Sequence, residues 1–220
     1  MIKIQEFDKI FKLLRHESRD WYNPFLSSQE TLKKTPFTTL ISCILSLRTK
    51  DDVTAKASLR LLKEHNTPEK LLKLPVEKIE QLIYPVGFFR NKSKSIKEIC
   101  EILIRDYKGE VPKTIDELVE LPGVGRKTAN IVMVFGFGSK EHIPVDIHCH
   151  RIPNRLGWIK TKTPDDSEKA LLKILPKKFW EPFNDLFVRF GQNLCVPVSP
   201  FCSKCPIYKY CKRVGVEKSR

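Results

Sequence analysis

The sequence predicts an all-α protein. Apolar residues recur at three- and four-residue intervals, as they do along one face of a helix. Proline and Ser/Thr capping signals punctuate the chain at short intervals. No stretch alternates apolar and polar residues as a half-buried strand would, and no internal repeat is present. The chain therefore reads as many short helices, and its 220 residues suffice for one large or two small domains with a substantial core.

Ile4, Phe7, Ile10, Phe11 and Leu14 form the first helical stripe. Trp21 to Ser28 reads as a connector, and Ser27-Ser-Gln-Glu30 as a capping box. Pro36 stands where a first-turn proline opens a helix over Phe37–Leu47. Arg48-Thr-Lys-Asp51 breaks that apolar pattern before a helix running to about Glu64. Thr67-Pro68 and Pro75 each open a short helix. Gly87-Phe-Phe-Arg-Asn-Lys92 is a turn rich in aromatic and basic groups, and a longer helix follows it to Tyr107. Thr114-Ile-Asp-Glu117 opens a helix that ends at Leu121. Beyond Asp146, helices are expected to about Trp158, from Pro164 to Leu175, and from about Phe179 to Leu194.

Between these lies the stretch that carries chemistry. Leu121-Pro-Gly-Val-Gly125 reads as a tight turn whose glycines take a positive φ or let the backbone approach something closely. The apolar run Ile131 to Phe137 follows, so a helix opens near Gly125 or Arg126. Its first N–H groups are unpaired and lie at the positive end of the helix dipole, which suits a phosphate oxygen. Lys127 falls in that first turn, where the dipole disfavours a cation by a fraction of a kcal/mol. A lysine nucleophile at neutral pH needs its pKa lowered by about three units, roughly 4 kcal/mol against the charged form. Burial or a neighbouring cation, with Arg126 the candidate, has to supply the rest. The plainer role for Lys127 is a phosphate contact. Asp146, after Pro144-Val145, reads either as a helix N-cap or as a carboxylate that stabilises a developing sugar cation or moves protons.

Lys and Arg total 40 against 26 acidic residues, a formal charge of +14, which favours a polyanionic partner. No apolar run approaches the roughly 20 residues of a membrane span, and the N-terminus lacks a signal-peptide pattern. Nucleic acid is the expected partner, without membrane, in the cytoplasm or a nucleus.

Seven cysteines occur, four of them within the last 26 residues. An odd number and no export signal argue against a disulfide framework. Cys43, Cys100 and Cys149 fall in apolar helical patterns and are expected as buried thiols. Cys195, Cys202, Cys205 and Cys211 have the spacing C-x6-C-x2-C-x5-C. Four thiolates suit either tetrahedral zinc or a [4Fe–4S] cluster, and this spacing matches neither a zinc ribbon nor a ferredoxin.

Leu121-Pro-Gly-Val-Gly-Arg-Lys-Thr-Ala-Asn130 followed by Val145-Asp-Ile-His148 resembles the helix-hairpin-helix and downstream aspartate of the endonuclease III family of DNA glycosylases. The C-terminal cysteine spacing is similar to that family's iron–sulfur loop, so the resemblance covers nearly the whole chain. It implies a six-helix barrel over residues 30–140 containing the helix-hairpin-helix. A second helical domain would join 1–29 to 141–220 and hold a 4Fe–4S cluster on Cys195, Cys202, Cys205 and Cys211, with a DNA-binding cleft between the lobes. It implies Lys127 as the amine that attacks the sugar, forming a Schiff base, and Asp146 as its assistant. The partner would be double-stranded DNA with damaged bases or abasic sites, bound by a monomer. Gly123, Gly125, Arg126, Arg48, Phe88 and His148 are then expected DNA contacts.

Two positions depart from the family. The loop Val196-Pro-Val-Ser-Pro-Phe201 has no charge where basic DNA contacts are usual, with Lys204, Lys209, Lys212 and Arg213 as replacements. Arg48 stands where the family usually has a glutamine that fills the gap left by an extruded base, helped by an apolar residue from the turn around Phe88. Asp51 is expected as a cap or a substrate-pocket residue. His148 and His150 flank Cys149, but i and i+2 do not share a helix face, which disfavours a common ion. Arg151, Asn154 and Arg155 remain open between helix-surface and phosphate-contact roles.

The expected activity is a bifunctional glycosylase and abasic-site lyase acting on damaged pyrimidines. The alternatives are a monofunctional adenine or thymine mismatch glycosylase and a non-enzymatic DNA-binding module. Against the monofunctional relatives stand Lys127, which they usually lack, and a chain ending at Arg220 without the adenine type's further domain. The non-enzymatic module would show no strand cleavage.

Overall fold

The computed structural model describes residues 3–21 and 32–220. The Ser27–Glu30 capping box and most of the Trp21–Ser28 connector lie outside them. Among the described residues every regular element is helical. The chain separates into one unit of Phe25–Ser139 and another that joins Met1–Pro24 to Lys140–Arg220. Among the described residues no helix is long and apolar enough to cross a membrane.

The 25–139 unit is built round α2 (Pro36–Ser46), nine of whose eleven residues are buried. A helix apolar all round has to be central, and α2 packs on α3 (Asp51–Leu62), α6 (Phe89–Tyr107) and α8 (Arg126–Ile131). Thr35 and Thr38 cap its start reciprocally, with Pro36 in the first turn. α4 (Pro68–Leu72) and α5 (Val76–Ile83) pack against α6, and α7 (Ile115–Val119) against α8. Thr67 and Thr114 cap α4 and α7 through their hydroxyls, as their sequences predict. α2 ends at Ser46 rather than Leu47, and α3 at Leu62 rather than Glu64. α7 stops at Val119, because Leu121 already belongs to the next turn. The Ile131–Phe137 run is not one α-helix: beyond Ile131 it winds into a π-helical turn, Val132–Gly136, a distinction invisible to apolar periodicity. Asp51 is the first residue inside α3, and the capping position is Lys50, so the cap reading of Asp51 does not hold.

The second unit has an aromatic core. α1 (Ile4–Glu17) buries Phe7, Ile10, Phe11 and Leu14, the stripe read from the sequence. Phe11 stacks on Phe179 at 4.4 Å between ring centroids, and Phe7 meets Trp158 edge-on at 4.8 Å. α9 (Ile147–Leu156), α10 (Pro164–Ile174) and α11 (Trp180–Asn193) complete it, with α9 packed on both of the others. α9 closes at Leu156 because Gly157 takes a left-handed turn there. After α11 the chain runs to Arg220 with only two three-residue 3-10 turns.

Candidate active site

The Leu121–Gly125 turn is closed by the Val124 N–H donating to the Leu121 carbonyl at 3.0 Å. Gly123 has φ +74°, which a side chain would strain. Gly125 has an ordinary φ of −93° as the N-cap of α8, and a Cβ built on it meets nothing within 4 Å. A positive φ is therefore not its reason. What its glycine leaves is open space in front of a helix N-terminus. Helical bonding begins with the Ala129 N–H to the Gly125 carbonyl, so the N–H groups before it have no acceptor within the helix.

Lys127 lies in that first turn and is exposed. Burial in the free protein, one of the two expected activators, is thus not present. Its charge does reach Cys43 on α2, whose thiol burial pushes up to about 12 against the pull of Lys127. Cys43, Cys100 and Cys149 are all buried, as their helical patterns predict.

Arg48 and Phe88 meet. Both are exposed, both adopt the left-handed region, with φ 52° and 58°, and the Arg48 guanidinium stands 5.7 Å from the centre of the Phe88 ring. Two non-glycine residues in that region cost on the order of 1–3 kcal/mol each. What holds them is a residue sequence reasoning missed. Lys92, on the first turns of α6, is only 7% exposed and donates from Nζ to the Leu45 carbonyl (2.8 Å), the Leu47 carbonyl (2.5 Å) and Thr49 Oγ1 (3.1 Å). The signal was available: Lys92 occupies the face of α6 that carries the buried Ile96, Ile99 and Leu103.

Asp146 caps α9, with Oδ1 accepting from the His148 N–H (2.9 Å) and the Cys149 N–H (2.8 Å). The capping reading is therefore structural fact, and any chemical role is additional to it. Arg151 Nη2 lies 3.0 Å from His148 Nδ1. Guanidinium only donates, so Nδ1 accepts and neutral His148 carries its proton on Nε2. A Cβ on Gly191 would stand 2.4 Å from that Nδ1, so the imidazole sits where only glycine leaves room. His150 turns instead to Ser167 Oγ at 2.6 Å.

Arg151, Asn154 and Arg155 are committed inside this unit. Arg151 also donates to the Gly191 and Cys195 carbonyls, and Asn154 to the His150 carbonyl and Thr161. Arg155 donates to Cys195 Sγ (3.4 Å) and to the Val196 and Pro197 carbonyls. Arg155 thus binds the start of the uncharged 196–201 loop to the helix that Asp146 begins, and Arg151 binds Cys195 just before it. Lys204, Lys209, Lys212 and Arg213 are exposed.

Cys195, Cys202, Cys205 and Cys211 all line one cavity. Among the described residues no three His, Cys, Asp or Glu side chains converge on a single-ion site. Burial pushes the Cys205 thiol up to about 12, with the other cysteines adding to it. Burial also pushes the Cys211 thiol up, more than the Arg213 N–H donating to its Sγ at 3.3 Å pulls it down.

The model of the HhH-GPD superfamily base excision DNA repair proteins matches residues 41–177. Endonuclease III of Thermotoga maritima is 48% identical over 177 residues, which cover 80% of this chain and 83% of that protein. The chain belongs to the endonuclease III family. As a member of that family it is a base excision repair DNA glycosylase. Among solved structures, a trapped endonuclease III–DNA covalent intermediate with an estranged adenine superposes with a TM-score of 0.80 at 35% identity, covering 97% of both chains. A thermostable thymine-DNA glycosylase reaches the same TM-score at 25% identity, covering 95% of this chain and 96% of the other. The endonuclease III fold alone therefore does not decide between lyase and mismatch chemistry.

Proposed function

We propose that this chain excises oxidised or otherwise damaged pyrimidines from double-stranded DNA and then cleaves the strand at the abasic sugar, with Lys127 as nucleophile. The observation that carries this is the placement of Lys127. It is an exposed amine in the first turn of α8, directly behind a glycine turn that leaves the helix N-terminus open. Phosphate held on those N–H groups would register the DNA backbone beside the amine. In the reaction Lys127 Nζ bonds to C1′ as the N-glycosidic bond breaks, and the base departs with those electrons and takes up a proton. Ring opening leaves an imine, and loss of a C2′ proton expels the 3′ phosphate. Arg126 in the same turn and desolvation under bound DNA are the proposed activators of the amine. Asp146, whose carboxylate caps α9, is the group proposed to assist by stabilising the sugar cation. The relative caught as a covalent intermediate with DNA supports the same route here.

A [4Fe–4S] cluster fits the C-terminal cysteines. The donor set is four thiols with N–H and guanidinium donors on sulfur. When bound, the cluster supplies cross-linking ligation; the steps above require no electron from it.

A panel of duplexes, each with one oxidised, mismatched or abasic site, tests the function. Strand cleavage is expected at oxidised pyrimidines and at abasic sites. Base release from mismatches without strand cleavage would instead establish a monofunctional mismatch glycosylase, the reading favoured by the likeness to the thymine-DNA glycosylase.

Arg48 and Phe88 are proposed to enter the duplex when the nucleotide leaves it. Arginine offers only donors and pairs best with the two acceptors of guanine; such pairs discriminate by about 1–3 kcal/mol in a major groove. A gap is a poorer geometry, so the lower end is expected. The enzyme should process one damaged pyrimidine faster opposite guanine than opposite adenine, and Arg48→Gln should narrow the ratio of kcat/KM values. An unchanged ratio would leave Arg48 a solvated or phosphate-binding group.

A further inference from the structure

We infer that Lys92 is a positioning residue for base extrusion, fastening the turn that carries Arg48 to the turn that carries Phe88 so that both enter the duplex as one rigid pair. This rests on the reading that Arg48 and Phe88 contact DNA. The geometry of the fastening is independent of that reading.

Three donors meet three acceptors. Nζ of Lys92 takes the Leu45 and Leu47 carbonyls, which the end of α2 leaves without helical partners, and Thr49 Oγ1. An ammonium at a helix C-terminus also has the favourable sign for the dipole. Thr49 Oγ1 accepts a second hydrogen bond, from the Gly87 N–H at 3.1 Å, and its own proton goes to the Leu47 carbonyl. One hydroxyl thus joins the two turns on either side of Arg48 and Phe88. The backbones touch as well, since a Cβ on Gly87 would stand 2.6 Å from the Arg48 carbonyl oxygen. These connections run through backbone and through Lys92 and Thr49, so the Arg48 and Phe88 side chains themselves stay exposed. Burial lowers Lys92 to about 8, so at neutral pH it remains mainly protonated and keeps its three donors.

A lysine serving only to stabilise α2 and α6 would slow every reaction of the enzyme alike. A lysine serving extrusion would matter only where a nucleotide must be drawn from a paired stack. Single-turnover excision is therefore measured on one oxidised pyrimidine presented two ways, paired in a duplex and unpaired in a one-nucleotide bulge. Extrusion costs a few kcal/mol from the paired stack and least from the unpaired site. Lys92→Met keeps the aliphatic stem and removes the donors. It should slow the paired substrate by about tenfold or more while changing the bulged one by less than about threefold. Thr49→Val, which cuts the same link with less change in the core, should show the same selectivity and serves if Lys92→Met fails to fold. In a background of Arg48→Ala with Phe88→Ala, neither substitution should slow the paired substrate further, because positioning without the positioned groups has no effect.

Equal losses on both substrates, or losses that multiply fully in the double-alanine background, would overturn the inference. If the double-alanine variant itself fails to slow the paired substrate selectively, the DNA-contact reading falls and takes the inference with it. If that variant is selectively slow but Lys92→Met and Thr49→Val are not, the inference alone fails.

Discussion

Lys127→Gln should lose all covalent capture of the protein on damaged DNA by borohydride while keeping its affinity for the same duplex. Borohydride reduces an imine to a stable amine, so capture reports the proposed intermediate directly. The substitution is informative because Lys127 is exposed and in the first turn of α8. Lysine and glutamine have similar helix propensities, and exposed substitutions of this kind usually stay within about 0.5 kcal/mol. A lost product therefore cannot be charged to unfolding, and an unchanged melting temperature would confirm it. Capture that survives Lys127→Gln would move the nucleophile elsewhere and overturn the assignment. Asp146 needs a different comparison, because it is also the cap of α9. Asparagine is an equally good cap, so Asp146→Asn keeps the bonds to the His148 and Cys149 N–H groups and removes only the charge. A fall in rate of about 10²- to 10³-fold, the range for losing one group that stabilises charge in the transition state, is expected with little loss of stability. Asp146→Ala should add about 1 kcal/mol of destabilisation from the lost cap. An Asp146→Asn protein as fast as the parent would leave the carboxylate a cap and nothing more.

The helices were legible where a local signal opens them. Pro36, Thr67-Pro68 and Thr114 mark starts that the folded chain uses, and the α1 stripe is the buried face. Such features act over one or two turns and leave a mark in sequence. The π turn after Ile131 did not, because adding one residue to a turn leaves an apolar run equally apolar. Of the two readings of Asp51 the cap fails: an acidic residue at a helix start suits both the cap and the first turn, and only the backbone of Lys50 tells them apart.

The candidate site divides the same way. Residues whose chemistry sits in their own segment could be read: the turn before Lys127, the cap at Asp146, the cysteine spacing. Residues whose role comes from partners 40 or more positions away could not. Lys92 reaches Leu45 across 47 positions, and Arg155 reaches Cys195 across 40. Arg151 and Arg155 were open to a phosphate role because a sequence shows a cation but not what already occupies its donors. The left-handed backbone of Arg48 and Phe88 was equally hidden, since neither residue type favours it and only the ties around them hold it.

Replacing any one of Cys195, Cys202, Cys205 or Cys211 by serine should collapse the unit that joins the chain ends, while the 25–139 unit keeps its helices. From Leu194 to Arg220 the only regular structure is two three-residue 3-10 turns, each too short to be stable by itself. Ile207 is nevertheless fully buried, and Cys195, Cys205 and Cys211 pack against the aromatic core of α1, α9 and α11. Something must fix this segment there, and four-thiolate ligation is strong enough; structural metal sites contribute on the order of 10 kcal/mol of folding energy. Arg151 and Arg155 carry the dependence into α9, because their acceptors are the carbonyls and sulfur of the cysteine loop. The readout is specific to one unit: the three tryptophans, Trp21, Trp158 and Trp180, all lie in it. The parent protein, purified anaerobically, should be brown with about four irons per chain. Each serine variant should lose iron and soluble yield and show a tryptophan emission melt displaced to lower temperature. The far-ultraviolet helix signal should fall only in part, because α2 to α8 have a separate core. Zinc without iron in the anaerobic parent would replace the cluster by a mononuclear site. Serine variants with full yield and an unshifted tryptophan melt would show that the aromatic core orders the segment without metal.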